Sequence, residues 1–199
     1  MDLDLLRQVN RLWRKVYPYL AAQVIENYKR DSGTMLELGP FSCGISVEMA
    51  RRISALDITL ADESPQVLNY FSEEIKTKGL SNNIRIRRTE YDPFVFEDDE
   101  FDLVVCRGVF FFLDENGRLF MEIFRVLREG GVAFIGGGYG KGTPREVIDE
   151  IADESRKLND RLGRKRFTID KLEKIIDRSG LAASCRIVED GGLWVILEK

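Results

Sequence analysis

Apolar residues near the start of the chain recur at helical spacing. Leu5, Leu6, Val9, Leu12, Trp13 and Val16 form one stripe, which predicts helix over residues 3 to 30. Pro18 interrupts the stripe, so two helices are expected to meet near Tyr17 and Pro18, giving a helical cap over residues 1–30. After the turn Asp31-Ser32-Gly33 the pattern changes to short apolar runs separated by amphipathic stretches. The runs at 34–38, 56–61, 83–87, 101–106 and 132–136 predict strands, and 45–54, 65–78 and 116–127 predict helices. Phe101 to Cys106 is the most continuously apolar run and is expected to be a central strand. Arg128-Glu129-Gly130-Gly131 has the composition of a helix stop.

A charged, helix-prone segment over 141–166 then breaks the alternation. Thr168 opens a last helix ending near Ser179 and Gly180. Strands at 182–188 and 193–198 flank Glu189-Asp190-Gly191-Gly192, a hairpin signal. Repeated strand–helix units imply a parallel sheet covered on both faces. The expected fold is therefore α/β: a Rossmann-like, doubly wound, mostly parallel seven-stranded sheet with a C-terminal antiparallel hairpin, in one domain over 1–199. The simpler account of the 141–166 insertion is a solvated helix face. The functional alternative is a lid whose cations select an anionic substrate.

Composition narrows the chemistry. With 30 Lys and Arg against 34 Asp and Glu, the net charge is −4, which gives no support for nucleic acid as a partner. No apolar run approaches the ~20 residues of a membrane span, and Met1-Asp2-Leu3-Asp4 is acidic where a signal peptide is basic, so no membrane partner and a cytoplasmic location are expected. Three scattered cysteines make neither a disulfide framework nor a zinc set. The chain has no histidine, which removes the commonest general base and metal ligand, and no metal is expected.

Sheets of this kind bind ligands outside the carboxyl ends of their strands. The first strand end offers Glu37 and Gly39, the second Asp62, the third Glu90 and Tyr91, and the fourth Cys106 and Arg107. Asp62 is placed to accept both hydroxyls of a ribose, Glu90 to accept from an adenine amine, and Tyr91 to stack. Any one acid alone is more often a helix cap or a solvated residue. Phe110-Phe111-Phe112 follows the fourth strand and Gly136-Gly137-Gly138-Tyr139-Gly140 the fifth, so Phe111, Phe112 and Tyr139 are candidate substrate contacts, with core packing the alternative for the phenylalanines.

At Leu36-Glu37-Leu38-Gly39, Leu60-Ala61-Asp62-Glu63-Ser64, Arg88-Thr89-Glu90-Tyr91, the stretch from Phe96 to Gly108, and Glu122 to Gly131, the chain resembles the class I S-adenosylmethionine-dependent methyltransferases. The similarity is to the small type related to the ubiquinone-biosynthesis methyltransferases, and it covers residues 15 to 199. It implies S-adenosylmethionine as cofactor and methyl transfer to a small-molecule acceptor. It also implies cofactor contacts from Tyr17, Glu37, Gly39, Asp62, Glu63, Glu90, Tyr91, Cys106 and Arg107, and it names no catalytic base. Where the family pattern continues Gly-x-Gly-x-Gly, this chain has Phe41 and Cys43. Either the loop keeps positive φ there at a cost of about 1–2 kcal/mol per residue, with Phe41 in the cofactor's space, or it takes another path and Gly44 makes the close approach. The same departure motivates an alternative function: a degenerate methyltransferase fold in a regulatory or assembly role. A nicotinamide-dependent oxidoreductase fits less well, because the Gly-x-Gly-x-x-Gly fingerprint is missing.

Overall fold

The computed structural model describes residues 2–199. Its seven strands are β1 (Ser32–Leu38), β2 (Ala55–Asp62), β3 (Ile84–Arg88), β4 (Phe101–Arg107), β5 (Leu127–Gly138), β6 (Cys185–Val188) and β7 (Gly192–Glu198). They form one sheet in the order β3-β2-β1-β4-β5-β7-β6. The first five are parallel, and β7 lies antiparallel to both β5 and β6. The helices are α1 (Leu3–Leu12), α2 (Tyr17–Tyr28), α3 (Gly44–Arg52), α4 (Pro65–Lys76), α5 (Arg118–Val126), α6 (Arg145–Arg161) and α7 (Ile169–Ser179). The sheet is the expected Rossmann-like, mostly parallel one with its antiparallel hairpin.

Strand alternation sorts the side chains between two apolar layers. Met35, Leu60, Leu103, Val105, Phe134 and Trp194 pack with α1, α2, α3 and α4 on one face. Leu36, Leu38, Val104, Ile135 and Val195 pack with α5 and α7 on the other. This parity decides what reaches the site. Glu37, Asp62 and Arg107 continue the first set at the ends of β1, β2 and β4, whereas Cys106 belongs to the second layer.

Several boundaries differ from the sequence pattern. The N-terminal break is a 3₁₀ turn at Trp13–Lys15, and Tyr17 already belongs to α2, with Pro18 in its first turn where a missing N–H costs nothing. The stretch from Arg128 to Gly131 is part of β5 and not a helix stop. Phe101 pairs with Leu127 and Leu103 with Val132, so these residues bulge opposite Asp102. The start of α5 is set by Asp114, whose carboxylate accepts from the N–H groups of Asn116, Arg118 and Leu119. The predicted strand at 182–188 shortens to β6 because Ala182–Ser184 forms a 3₁₀ turn. Among the described residues no helix is long and apolar enough to cross a membrane.

Candidate active site at the carboxyl ends of the strands

The loop after β1 turns at Gly39, whose φ of +100° suits a residue without a Cβ. Its N–H donates to the Ala61 carbonyl at 2.9 Å, which ties the loop to the neighbouring strand end. Of the two residues standing at expected glycine positions, only Cys43 adopts positive φ, at +86°. That conformation costs about 1–3 kcal/mol and is held by the Cys43 N–H donating to Glu37 Oε2 at 2.9 Å. The Ser46 N–H donates to the same oxygen at 3.0 Å. Glu37 is fully buried and its other oxygen, Oε1, has no partner. Burial pushes this carboxyl above the ordinary range despite the two N–H donors. Gly44 closes against the ring of Tyr17, which leaves no room for a methyl group there.

At the end of β2, Asp62 is also buried. Its Oδ1 accepts from the Ser64 N–H at 2.8 Å and its Oδ2 from the Tyr91 hydroxyl at 2.6 Å. Burial raises the Asp62 carboxyl, with these two donors opposing. The Tyr91 phenol is pushed up by burial and by the Asp62 charge beside it, so Tyr91 is the donor of the pair. The Tyr91 ring stacks on Phe112 with centroids 4.4 Å apart. Phe112 in turn lies over Gly39, where a Cβ would come within 3.0 Å of its ring. A cavity of about 340 Å³ opens beside them, lined by Asp62, Glu63, Tyr91, Phe111, Phe112 and Arg161 among others.

Arg107 ends β4 and is only 4% exposed. Its Nη2 donates to Asn10 Oδ1 (3.1 Å), the Tyr17 hydroxyl (3.2 Å) and the Phe41 carbonyl (3.3 Å). The guanidinium sits over the rings of Trp13, Tyr17 and Phe41 at 4.9–5.3 Å. Its partners are neutral oxygens and π faces, and Nε has none. Phe41 is buried against Arg107, Gly108 and Phe111. Arg107 and Phe41 help line a second cavity of about 370 Å³, with Phe110, Phe111, Tyr139 and Phe167. Tyr139 lies flat on Trp13, with centroids 5.1 Å apart and planes 3° from parallel. Phe111 belongs to the walls of both cavities.

Residues 36–135, 100 of the 199, match the family model described as a methyltransferase domain. The chain belongs to the methyltransferase-domain family. The methyltransferase is 26% identical over 144 residues to a phosphatidylethanolamine N-methyltransferase of Cereibacter sphaeroides, covering 68% of each chain. It is 21% identical to a ubiquinone/menaquinone biosynthesis C-methyltransferase of Idiomarina loihiensis, over 64% of this chain and 49% of the relative. A Methanococcus maripaludis structure assigned to the S-adenosyl-L-methionine-dependent methyltransferases superposes with a TM-score of 0.84 at 26% identity, covering 100% of this chain and 93% of that one. An Aquifex aeolicus methyltransferase shares the fold, with a TM-score of 0.70 at 16% identity over 99% and 97%. The chain is thus a class I S-adenosylmethionine-dependent methyltransferase related to the ubiquinone-biosynthesis type.

The methyltransferase brings together most of the candidates named from its sequence. Asp62, Glu63, Tyr91, Phe111 and Phe112 line one cavity, Arg107, Phe111 and Tyr139 the other, and Glu37, Gly39 and Tyr17 lie at the loop beside them. Cys106 is not brought to either cavity. It sits in the apolar layer with Leu36, Leu38 and Ala133, and burial pushes its thiol up. Glu90 is exposed and pairs with Arg88 at 3.3 Å. The pattern did not single out Asn10, which holds Arg107. A signal was present, since Asn10 falls on the α1 stripe between Leu6 and Trp13, where a buried polar residue needs a partner.

Proposed function

We propose that this methyltransferase holds S-adenosylmethionine across the ends of β1, β2 and β4 and methylates a small organic acceptor held beside Arg107. The observation that carries the proposal is the pair of cavities sharing Phe111, one bearing the strand-end acids Asp62 and Glu63 beside Tyr91 and the other cations and aromatic rings with no carboxylate among the described residues. A two-substrate transfer needs cofactor and acceptor held side by side, which two adjoining cavities allow.

The chain's own groups fit the cofactor. Asp62, with Glu63 beside it, accepts the ribose hydroxyls, and Tyr91 offers its ring to the base. Gly39 lets the backbone approach, and Glu37, with its unpartnered Oε1, supplies a buried carboxyl whose charged form a cationic methionine end would favour. Tyr17 and Arg107 close the methionine side. When bound, S-adenosylmethionine supplies an electrophilic methyl group on a sulfonium centre. The residues contribute position, exclusion of water and fixed charge. The described lining of the Arg107 cavity contains no carboxylate to serve as general base, which suits an acceptor that is already nucleophilic. Relatives named for methylation at nitrogen and at carbon leave that atom to be set by the cavity lining. On this reading the N-terminal helices form a cap and 141–166 a lid: the Trp13 Nε1–H donates to Ser155 Oγ at 3.0 Å and Lys15 pairs with Glu150, joining the turn after α1 to α6.

Calorimetric titration with S-adenosylhomocysteine, with NADH as comparison, tests the proposal. Micromolar binding of the first and no heat from the second is the expected result. A folded protein that binds neither would instead be a regulatory or assembly module, a reading favoured by the Tyr91–Asp62 bond and the Phe112 ring over Gly39. In the same assay Phe112→Ala is expected to tighten S-adenosylhomocysteine binding by about threefold to tenfold, because ligand entry no longer breaks an aromatic stack worth about 0.5–1.5 kcal/mol. Unchanged or weaker binding would show that Phe112 does not compete for the site.

A further inference from the structure

The Arg107 cavity carries a charge pattern at odds with the rest of the chain. The chain has a surplus of acids, yet this cavity is lined by Arg107, Arg164, Lys165 and Arg166 and by no carboxylate among the described residues. The three successive cations follow α6 where Gly163, at φ +80°, turns the backbone away from the helix. They lie on a loop that borders the cavity, with Arg164 half-buried and Lys165 and Arg166 exposed at its rim. The Lys165 N–H donates to the Phe110 carbonyl at 3.3 Å, and Phe167 stacks on Phe110 with centroids 5.1 Å apart.

The acids that would neutralise these cations are largely missing. Arg164 reaches only Asp160, at 3.6 Å, and its Nε is buried without a partner. Among the described residues neither Lys165 nor Arg166 pairs with a carboxylate. Arg107 spends Nη2 on three neutral oxygens and keeps an unpartnered, buried Nε. Two guanidinium groups thus line one cavity with unused buried donors, where an unmade hydrogen bond is costly. The opposing walls are aromatic: Phe41, Phe110, Phe111, Tyr139 and Phe167.

From this arrangement we infer that the acceptor is an organic acid, a carboxylate or phosphate carried on an aromatic or apolar body. The rings take the body, and Arg164, Lys165 and Arg166 take the anionic end with charge-assisted hydrogen bonds. The inference rests on the reading of this cavity as the acceptor site, and it makes the 163–167 segment the element that determines specificity.

The test uses full-length protein, with and without S-adenosylhomocysteine, and four probes sharing one aromatic body: 3-phenylpropionate, 2-phenylethyl phosphate, 2-phenylethanol and 2-phenylethylamine. Affinities come from ligand-observed saturation-transfer NMR. At least one acid is expected to bind about tenfold or more tightly than the alcohol and the amine, and the two acid arms separate carboxylate from phosphate recognition. In Arg164→Gln/Lys165→Gln/Arg166→Gln, whose melting midpoint reports that it folds, that preference is expected to fall below about threefold. The inference is overturned if the alcohol or amine binds as well as the acids, if no probe binds, or if the preference survives in the variant. Failure of S-adenosylhomocysteine to bind is a separate result: it removes the acceptor role, whereas loss of acid preference in a protein that binds S-adenosylhomocysteine removes only the organic-acid assignment.

Discussion

An Asp62→Ala protein is expected to lose at least about a hundredfold in affinity for S-adenosylhomocysteine while remaining folded. The argument starts from β2, whose alternation delivers Asp62 to the same face as Glu37 and Arg107. There the carboxylate is buried and fixed by the Ser64 N–H and the Tyr91 hydroxyl, so it is already oriented when a ligand arrives. Two hydroxyl hydrogen bonds to a charged acceptor, at about 1.5–3 kcal/mol each, give that factor or more. The variant also leaves the Tyr91 hydroxyl without its acceptor, so unfolding should become easier by about 1–3 kcal/mol. Calorimetry of wild type and variant, each checked for a cooperative melt, decides the matter. Wild-type affinity in the variant would exclude Asp62 from the cofactor site.

Glu37→Gln is expected to pull stability and binding in opposite directions. The amide oxygen can still accept from the Cys43 and Ser46 N–H groups, so the loop keeps its shape, but the buried charge is gone. Burial holds the Glu37 carboxyl above its ordinary value in the folded protein. The sign follows: relative to the variant, wild type is most favoured below about pH 4, near the unfolded carboxyl value, and loses that advantage as pH rises through the higher folded value. Near neutral pH the variant should therefore melt higher, by about 1–2 kcal/mol, which is about 2–8 °C for a chain of this size. Affinity for S-adenosylmethionine should fall about tenfold to a hundredfold, because a neutral amide replaces the anion facing the methionine end. Thermal melts from pH 4 to 8, paired with calorimetry, read both effects. A variant that is less stable at every pH would mean that the carboxylate serves the fold and carries no cost kept for the ligand.

Much of this site was legible in the chain because short-range patterns carry it. Period-two alternation in four apolar runs places Glu37, Asp62, Glu90, Cys106 and Arg107 at strand ends. The expectation that Cys106 joins Arg107 at the cofactor overlooked that neighbours on a strand face opposite layers. The fold puts Cys106 in the layer away from Glu37 and Arg107. The missing loop glycines are a different case. Sequence alone left two loop paths open, and the folded loop gave positive φ to Cys43 and not to Phe41 because the Glu37 carboxylate holds the Cys43 N–H.

What the sequence by itself determined is the alternation of strands and helices, the closing hairpin, and the set of acids at the strand ends. These depend on backbone periodicity and on turn chemistry within a few residues. Only the tertiary structure decided that Tyr91 holds Asp62, that Phe112 covers Gly39, and that Arg107 is gripped by Asn10 and Tyr17, 97 and 90 residues away in the chain. Those contacts join side chains from separate elements, and their geometry follows from how the layers pack, which no local spacing encodes.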